Sequence, residues 1–125
     1  MFDLKGNIEK GVGLGNRLGY PTLNIELGEI PVASENAVYI CEAGLNEHIY
    51  NGVMHFGPKT FGTNNSDKIF CEIHLFDFNQ DIESGQVFIK VLKKIRDVRE
   101  FKSTDELTAQ ISQDIDIAKQ FFKNA

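Results

Sequence analysis

A glycine-rich segment near the start of the chain carries the residue types best suited to bind a phosphate group. It reads GVGLGNRLGYPTLN and contains Gly11, Gly13, Gly15 and Gly19. Glycine permits positive φ angles and close backbone approach, which a loop that wraps around phosphate requires. The pattern by itself is weak, because neither the Gly-Lys-Ser/Thr of a Walker loop nor a long helical pattern follows it. On glycine content alone, a surface hairpin remains the alternative.

Two side chains that carry oxygen atoms follow the glycines, at Thr22 and Asn24. Pro21 restricts the backbone to an extended entry into a strand. Alternate residues of a strand point the same way, so the hydroxyl and the amide carbonyl would share one face. Such hard oxygen atoms suit Mg²⁺, which prefers oxygen ligands and is often shared with phosphates. The alternative is a turn in which both side chains bond their own backbone.

Glu72 is the candidate for proton transfer. It lies in a predicted strand at residues 69–76, on the same face as Phe70, His74 and Phe76. Bulky neighbours would partly bury the carboxylate, and partial burial strengthens a carboxylate as a proton acceptor. The alternative is a solvent-exposed glutamate with no chemical role, as most glutamates are exposed.

Hydrophobic periodicity predicts the elements that must position these side chains. Strands are predicted at Leu4–Lys10, Thr22–Leu27, Asn36–Leu45, His48–Phe56, Ile69–Phe76 and Gln86–Ile95. From Ser103 the period becomes helical, with a Ser103–Glu106 capping box and an apolar stripe formed by Leu107, Ile111, Ile115, Ala118 and Phe122. We therefore predict one mainly β domain over residues 1–125, a small closed antiparallel barrel with a C-terminal α-helix packed on it.

Length, charge and cysteine content exclude several classes of protein. A chain of 125 residues suits a single domain, and its net charge of −5 argues against general nucleic-acid binding, which needs a basic face. Backbone N–H groups and a metal ion can still hold a small anion. No membrane span or signal peptide is visible, and Cys41 and Cys71 do not make a disulfide framework. We expect a cytoplasmic protein that binds neither nucleic acid nor membranes.

Several motifs resemble the riboflavin kinase family, in the family's order and over nearly the whole chain. Gly15–Asn24 (GNRLGYPTLN) is similar to the family's LG-aromatic-PTAN signature, and Ala37–Tyr39 resembles its Gly-Val-Tyr strand. Further similar segments are Gly57–Phe61, Cys71–Leu75, and Ile95–Arg96 together with Phe101, Ser103, Leu107, Ile111 and Asp114.

This resemblance implies a six-stranded Greek-key barrel and phosphorylation of riboflavin to FMN by ATP and Mg²⁺. By the same resemblance, Glu72 would be the general base that takes the proton from the ribityl 5′-hydroxyl. Thr22 and Asn24 would hold Mg²⁺ and the nucleotide phosphates. The other implied contacts are a flap of Gly11, Gly13 and Gly15 over the phosphates, and a flavin site of Arg96, Arg99 and Phe101. The expected partners are riboflavin and ATP, and the expected state is a monomer.

Departures from the family pattern keep two other functions open. The Gly57–Phe61 loop is one residue shorter than the family's, and residues 81–85 lack the family's Tyr-Gly pair. A non-catalytic flavin-binding or regulatory module would be consistent with both departures. The third possibility is a β-barrel interaction module that binds neither flavin nor nucleotide. The family also occurs as the C-terminal module of bifunctional FAD synthetases, but no adenylyltransferase motif is visible in this sequence.

Overall fold

Six strands of alternating apolar and polar residues are followed by one long amphipathic helix. The computed structural model describes residues 1–9, 19–31, 34–58, 69–80, 82 and 84–125. Within them lie β1 (Phe2–Glu9), β2 (Leu23–Leu27), β3 (Ala37–Leu45), β4 (His48–Gly57), β5 (Phe70–Leu75), β6 (Gln86–Asp97) and helix α1 (Thr104–Lys123). The six predicted strands and the predicted helix are therefore confirmed, with shifts of one or two residues at their ends.

The strands close into an antiparallel barrel in the order β1-β2-β5-β4-β3-β6. Strands β3, β4 and β5 follow one another as neighbours, and β6 returns to pair with β3. This arrangement is a Greek key. Pairing between β1 and β6, which aligns Phe2 with Val91 and Asn7 with Gln86, closes the barrel. The predicted Greek-key barrel is confirmed, and β2 and β5 become neighbours although β3 and β4 separate them in the sequence.

Along the strands apolar residues alternate with polar ones, and the apolar side chains fill the barrel interior. The fully buried residues include Tyr39, Met54, Ile73 and Ile89. Both cysteines are free and buried, and burial raises the pKa of Cys41 to about 12. Because successive strand residues point to opposite faces, the polar residues between the buried apolar ones point to the outer face of the barrel.

Helix α1 covers part of that outer face. Ser103 caps it, as the sequence predicts, because the Ser103 hydroxyl accepts a hydrogen bond from the backbone N–H of Glu106 at 3.1 Å. The helix contacts β4 and β6, which flank β3. Val38 and Ile40 of β3 point outward and are nonetheless buried, on the strand that lies between the two strands contacted by the helix. No helix among the described residues is long and apolar enough to cross a membrane.

The hairpin that joins β3 and β4 keeps Gly44 inside β3, opposite Ile49. Asn46 and Glu47 form the turn, with φ angles of 50° and 69°. Two consecutive positive φ angles match the right-handed twist of the strands, and asparagine adopts this conformation more readily than most residues.

Candidate functional site

The central feature of the outer barrel face is a row of side chains that crosses β2, β5 and β4. Asn24 of β2 lies directly opposite Glu72 of β5, and Glu72 lies directly opposite His55 of β4. Directly opposed residues of antiparallel strands have Cβ atoms about 4.5–5.5 Å apart. All three side chains are partly buried. The register thus brings an amide, a carboxylate and an imidazole together.

The residues before β2 are attached to the same face by a histidine. His74 Nδ1 donates a hydrogen bond to the carbonyl of Pro21 at 2.7 Å, and its ring lies edge-on to Tyr20 at 6.0 Å. These contacts place Thr22 at the entrance to β2, two residues from Asn24. The Thr22 hydroxyl oxygen is shielded from solvent. The structure therefore brings the predicted metal-binding pair and the predicted base into one region.

His55 lies in the cross-strand row between Glu72 of β5 and Arg96 of β6. Burial lowers the pKa of its imidazole because the charged form loses hydration, and the charge of Arg96 acts in the same direction. The carbonyl of Pro58, which accepts a hydrogen bond from Nε2 at 3.0 Å, and the charge of Glu72 oppose this effect. The net direction is downward, so the neutral ring is favoured beside Glu72.

A cavity of about 450 Å³ opens at the C-terminal end of β5, beyond Glu72. It is lined by residues 74–79 and by Lys119 of α1. His74 shares the face of Glu72, and Phe76, in the turn directly after β5, packs its ring edge-on against the His74 ring at 5.8 Å. The Lys119 ammonium lies 5.4 Å from the centre of the Phe76 ring. Phe122 of α1 packs edge-on against Phe76 at 6.4 Å. The cavity is therefore lined in part by aromatic rings, and His74 in its lining lies two positions from Glu72 on β5.

The three predicted flavin-binding residues form a cluster, but one of them has another partner. The guanidinium of Arg99 lies 4.2 Å from the centre of the Phe101 ring, and that of Arg96 lies 5.7 Å from it. Arg96 donates hydrogen bonds from Nε and from a terminal nitrogen to both carboxylate oxygens of Asp114, at 2.8–3.1 Å. Asp114 is the one buried charged residue in the described part of the chain. The Arg96–Asp114 ion pair thus joins β6 to α1, and flavin binding by Arg96 stays a prediction.

This cluster lies at some distance from Glu72. Arg96 is aligned with Val38, and Val38 is aligned with His55, so the row continues across the outer face as far as β6. Three strand spacings of about 4.8 Å separate the backbones of Glu72 and Arg96. A molecule that touches both would have to extend across β4 and β3.

Sequence reasoning assigned no contact or role to two residues that the structure makes prominent. Asp114 lies between Ile111 and Ile115 on the apolar stripe of the helix, and an acidic residue at such a position is the signal of a buried ion pair. His55 gave no signal, because its importance comes from a strand register that no local pattern specifies. The predicted phosphate flap of Gly11, Gly13 and Gly15 and most of the Gly57–Phe61 loop lie outside the described residues.

The fold and the cross-strand row define a small barrel protein with a carboxylate, an amide and a hydroxyl beside an aromatic cavity. The family model described as "Flavokinase: Riboflavin kinase" matches residues 1–122. The chain therefore belongs to the riboflavin kinase family.

Known relatives share the whole matched region. The bifunctional riboflavin kinase/FMN adenylyltransferase of Bacillus subtilis is 35% identical over 98% of this chain and 39% of its own length. The RNA-binding riboflavin kinase RibR of the same organism is 39% identical over 97% of this chain and 52% of its own length. The crystal structure of a macrolide-efflux protein from Streptococcus pneumoniae superposes with a TM-score of 0.81 at 28% identity, over 94% of this chain and 38% of that one. The chain thus spans about two-fifths to one-half of these proteins.

Proposed function

We propose that this chain is a riboflavin kinase, which transfers the γ-phosphoryl group of ATP to the ribityl 5′-hydroxyl of riboflavin and releases FMN and ADP. The observation that carries the proposal is the alignment of Glu72 with Asn24 across β2 and β5. Membership of the riboflavin kinase family supports it. A carboxylate beside a set of oxygen ligands suits phosphoryl transfer, which depends mainly on positioning and on neutralisation of charge.

Glu72 acts in this reaction as the general base. Its carboxylate accepts the proton of the 5′-hydroxyl while the hydroxyl oxygen forms a bond to the γ-phosphorus. The bond between that phosphorus and the β–γ bridging oxygen breaks, and ADP leaves with the bonding electron pair. Partial burial keeps bulk water from competing for the proton-accepting oxygen.

Thr22 and Asn24 are the proposed ligands of Mg²⁺ and of the nucleotide phosphates. The donor set fits that ion, because a hydroxyl and an amide carbonyl are hard oxygen ligands. When bound, Mg²⁺ supplies positive charge to the phosphate oxygens. The contact between His74 and Pro21 orients the chain at Thr22. Gly11, Gly13 and Gly15 remain the proposed flap over the phosphates.

The aromatic cavity at the end of β5 is the proposed site of the isoalloxazine ring. His74 follows Glu72 by two residues on the same face of β5, and Phe76 lies in the turn directly after the strand, with its ring edge-on to His74. At a rise of about 3.3 Å per residue, His74 lies about 7 Å along the strand from Glu72, a span that suits the ribityl chain. The alternative position of the ring is on the β6 side of the outer face, where Arg99 and Phe101 stay its predicted contacts.

Replacement of Phe76 separates these two positions of the ring. We expect Phe76→Ala to raise the KM for riboflavin about tenfold with little change in kcat, because an aromatic contact and its buried area are lost. Steady-state kinetics with varied riboflavin provide the measurement. Phe88→Ala is the matched control, since Phe88 is 54% exposed on β6. An unchanged KM in Phe76→Ala, with a raised KM in Arg99→Ala, would move the ring to the β6 side.

Replacement of Thr22 tests the metal–nucleotide site. We expect Thr22→Ala to raise the KM for Mg-ATP, and the Mg²⁺ concentration needed for half-maximal rate, about tenfold, because one oxygen ligand is removed. Thr22→Ser keeps the hydroxyl and should retain most of the affinity. Thr108→Ala is a control on helix α1, where the threonine hydroxyl donates a hydrogen bond to the carbonyl of Thr104. Equal affinity in Thr22→Ala and the unaltered chain would remove Thr22 from the site.

A conversion assay tests the proposed function itself. Incubation with riboflavin, ATP and Mg²⁺ should yield FMN and ADP in equal amounts, and omission of ATP should abolish the product. Tight binding of riboflavin without turnover would select the non-catalytic flavin-binding module instead. Binding of neither ligand by folded protein would select the interaction module.

The remaining parts of the proposal concern partners and location. We propose that the chain acts as a cytoplasmic monomer on small molecules alone. The net charge of −5 supports the absence of nucleic-acid binding, although one relative is named as an RNA-binding kinase.

A further inference from the structure

The proposed base has a histidine as its neighbour on the side away from Asn24. His55 of β4 is aligned with Glu72 of β5, and the pairing of β5 with β2 places Asn24 on the other side. Each neighbour has its Cβ atom about 4.5–5.5 Å from that of Glu72. His55 therefore forms the β4 wall of the space in which the Glu72 side chain can move.

The ring of His55 is held in place at the end of its own strand. Its Nε2 lies 3.0 Å from the carbonyl oxygen of Pro58. A carbonyl can only accept a hydrogen bond, so Nε2 must carry the proton. Gly57, with a φ of 147°, turns the backbone in a conformation that glycine favours, and Pro58 follows it with a restricted φ. The acceptor of the imidazole is thus set by the backbone rather than by a rotatable side chain.

We propose that His55 is a positioning residue for Glu72: its ring, anchored on the Pro58 carbonyl, restricts the Glu72 carboxylate to the side that faces Asn24. The proposal rests on the proposed kinase function for its catalytic consequence. His55 does not touch the reacting atoms in this scheme. It removes the rotamers of Glu72 that would point away from the 5′-hydroxyl, and misplacement of a base by about 1 Å can cost a hundredfold in rate.

The charges around His55 are consistent with this role. The charged groups that face it are Glu72 on β5 and Arg96 on β6, and burial favours the neutral ring. A neutral wall leaves the carboxylate free to accept a proton from substrate, whereas a charged one would form an ion pair with it.

Kinetics of three His55 variants test the catalytic part of the proposal. His55→Val and His55→Thr retain strand propensity but cannot reach Pro58, and we expect each to lower kcat at least tenfold with KM values within about threefold. His55→Gln keeps an N–H donor and should restore kcat to within about threefold. His48→Val is the control, because it removes an exposed histidine from the same strand. Normal kcat in folded His55→Val and His55→Thr would overturn the proposal.

A measurement without substrate separates this proposal from the kinase function. NMR scalar couplings that report the χ1 angle of Glu72 should show one rotamer in the unaltered chain and in His55→Gln. They should show averaging in His55→Val and His55→Thr. If the unaltered chain made no FMN, the proposed kinase function would be wrong. The couplings would still show whether His55 restricts the Glu72 side chain. A single Glu72 rotamer in all variants would overturn that role.

Discussion

Replacement of Glu72 by glutamine is expected to lower kcat for FMN formation about 10²- to 10⁴-fold. Glutamine has the same shape but cannot accept the proton of the 5′-hydroxyl, and general-base catalysis contributes a factor of this size. The KM values for riboflavin and Mg-ATP should stay within about threefold, since neither substrate depends on the carboxylate charge for binding. Single-turnover kinetics with riboflavin and ATP measure the step directly.

A second glutamate supplies the matched control. Glu42 lies on the outer face of β3 and is partly buried like Glu72, but it is aligned with Asn51 and Lys90 rather than with Asn24. Glu42→Gln should therefore retain the full rate. A normal kcat in Glu72→Gln would remove the general base from the mechanism and leave positioning alone to account for turnover.

Removal of the Asp114 carboxylate is expected to cause the largest loss of stability. Asp114→Ala leaves the guanidinium of Arg96, whose side chain is 19% exposed, without its bidentate partner. Breaking a buried ion pair from one side costs about 3–5 kcal/mol. This is a large share of the ~5–15 kcal/mol that stabilises a typical domain. Urea unfolding followed by circular dichroism measures the change in the free energy of unfolding.

A double-mutant cycle distinguishes the ion pair from a general effect on the helix. Replacement of both partners, as Arg96→Met with Asp114→Leu, should recover much of the loss, because no unpaired charge then remains buried. Asp116→Ala, at an exposed position of the same helix, should change the free energy of unfolding by less than about 0.5 kcal/mol. If Asp114→Ala lowered the free energy of unfolding by less than about 1 kcal/mol, the Arg96 guanidinium would be hydrated or paired with another group in that variant.

Much of the fold was predictable from the sequence, because its signals are local. The alternation in segments such as Gln86–Ile95 predicts a half-buried strand, and the Ser103–Glu106 box predicts the helix start that the structure shows. The closed Greek-key order was expected from the family resemblance. Periodicity alone does not order the strands, since pairing of β2 with β5 joins segments far apart in the chain.

The candidate site was predictable in its residue types and not in its arrangement. Thr22, Asn24 and Glu72 stood out by chemistry and by family motif, and the structure places Asn24 opposite Glu72 with Thr22 directly before β2. Their alignment depends on the relative register of β2 and β5, and a one-residue slip would turn Glu72 into the core. The role of His55 and the partner of Arg96 follow from that register and from the packing of the helix. The local pattern indicates that Asp114 is buried and paired, but it does not identify Arg96 as the partner, and it gives no signal at His55.

The closure of the barrel between β1 and β6 has a consequence for how the protein forms. Residues near the start of the chain pair with residues 86–91, so the last hydrogen-bonded seam joins segments separated by most of the domain. The long loop between β1 and β6 must close before these hydrogen bonds can form, and the entropy lost in closing it slows folding. During synthesis, β1 and β3 would each present an open strand edge until β6 has left the ribosome. We therefore expect assembly to finish late, with the nascent chain prone to aggregation until β6 closes the barrel.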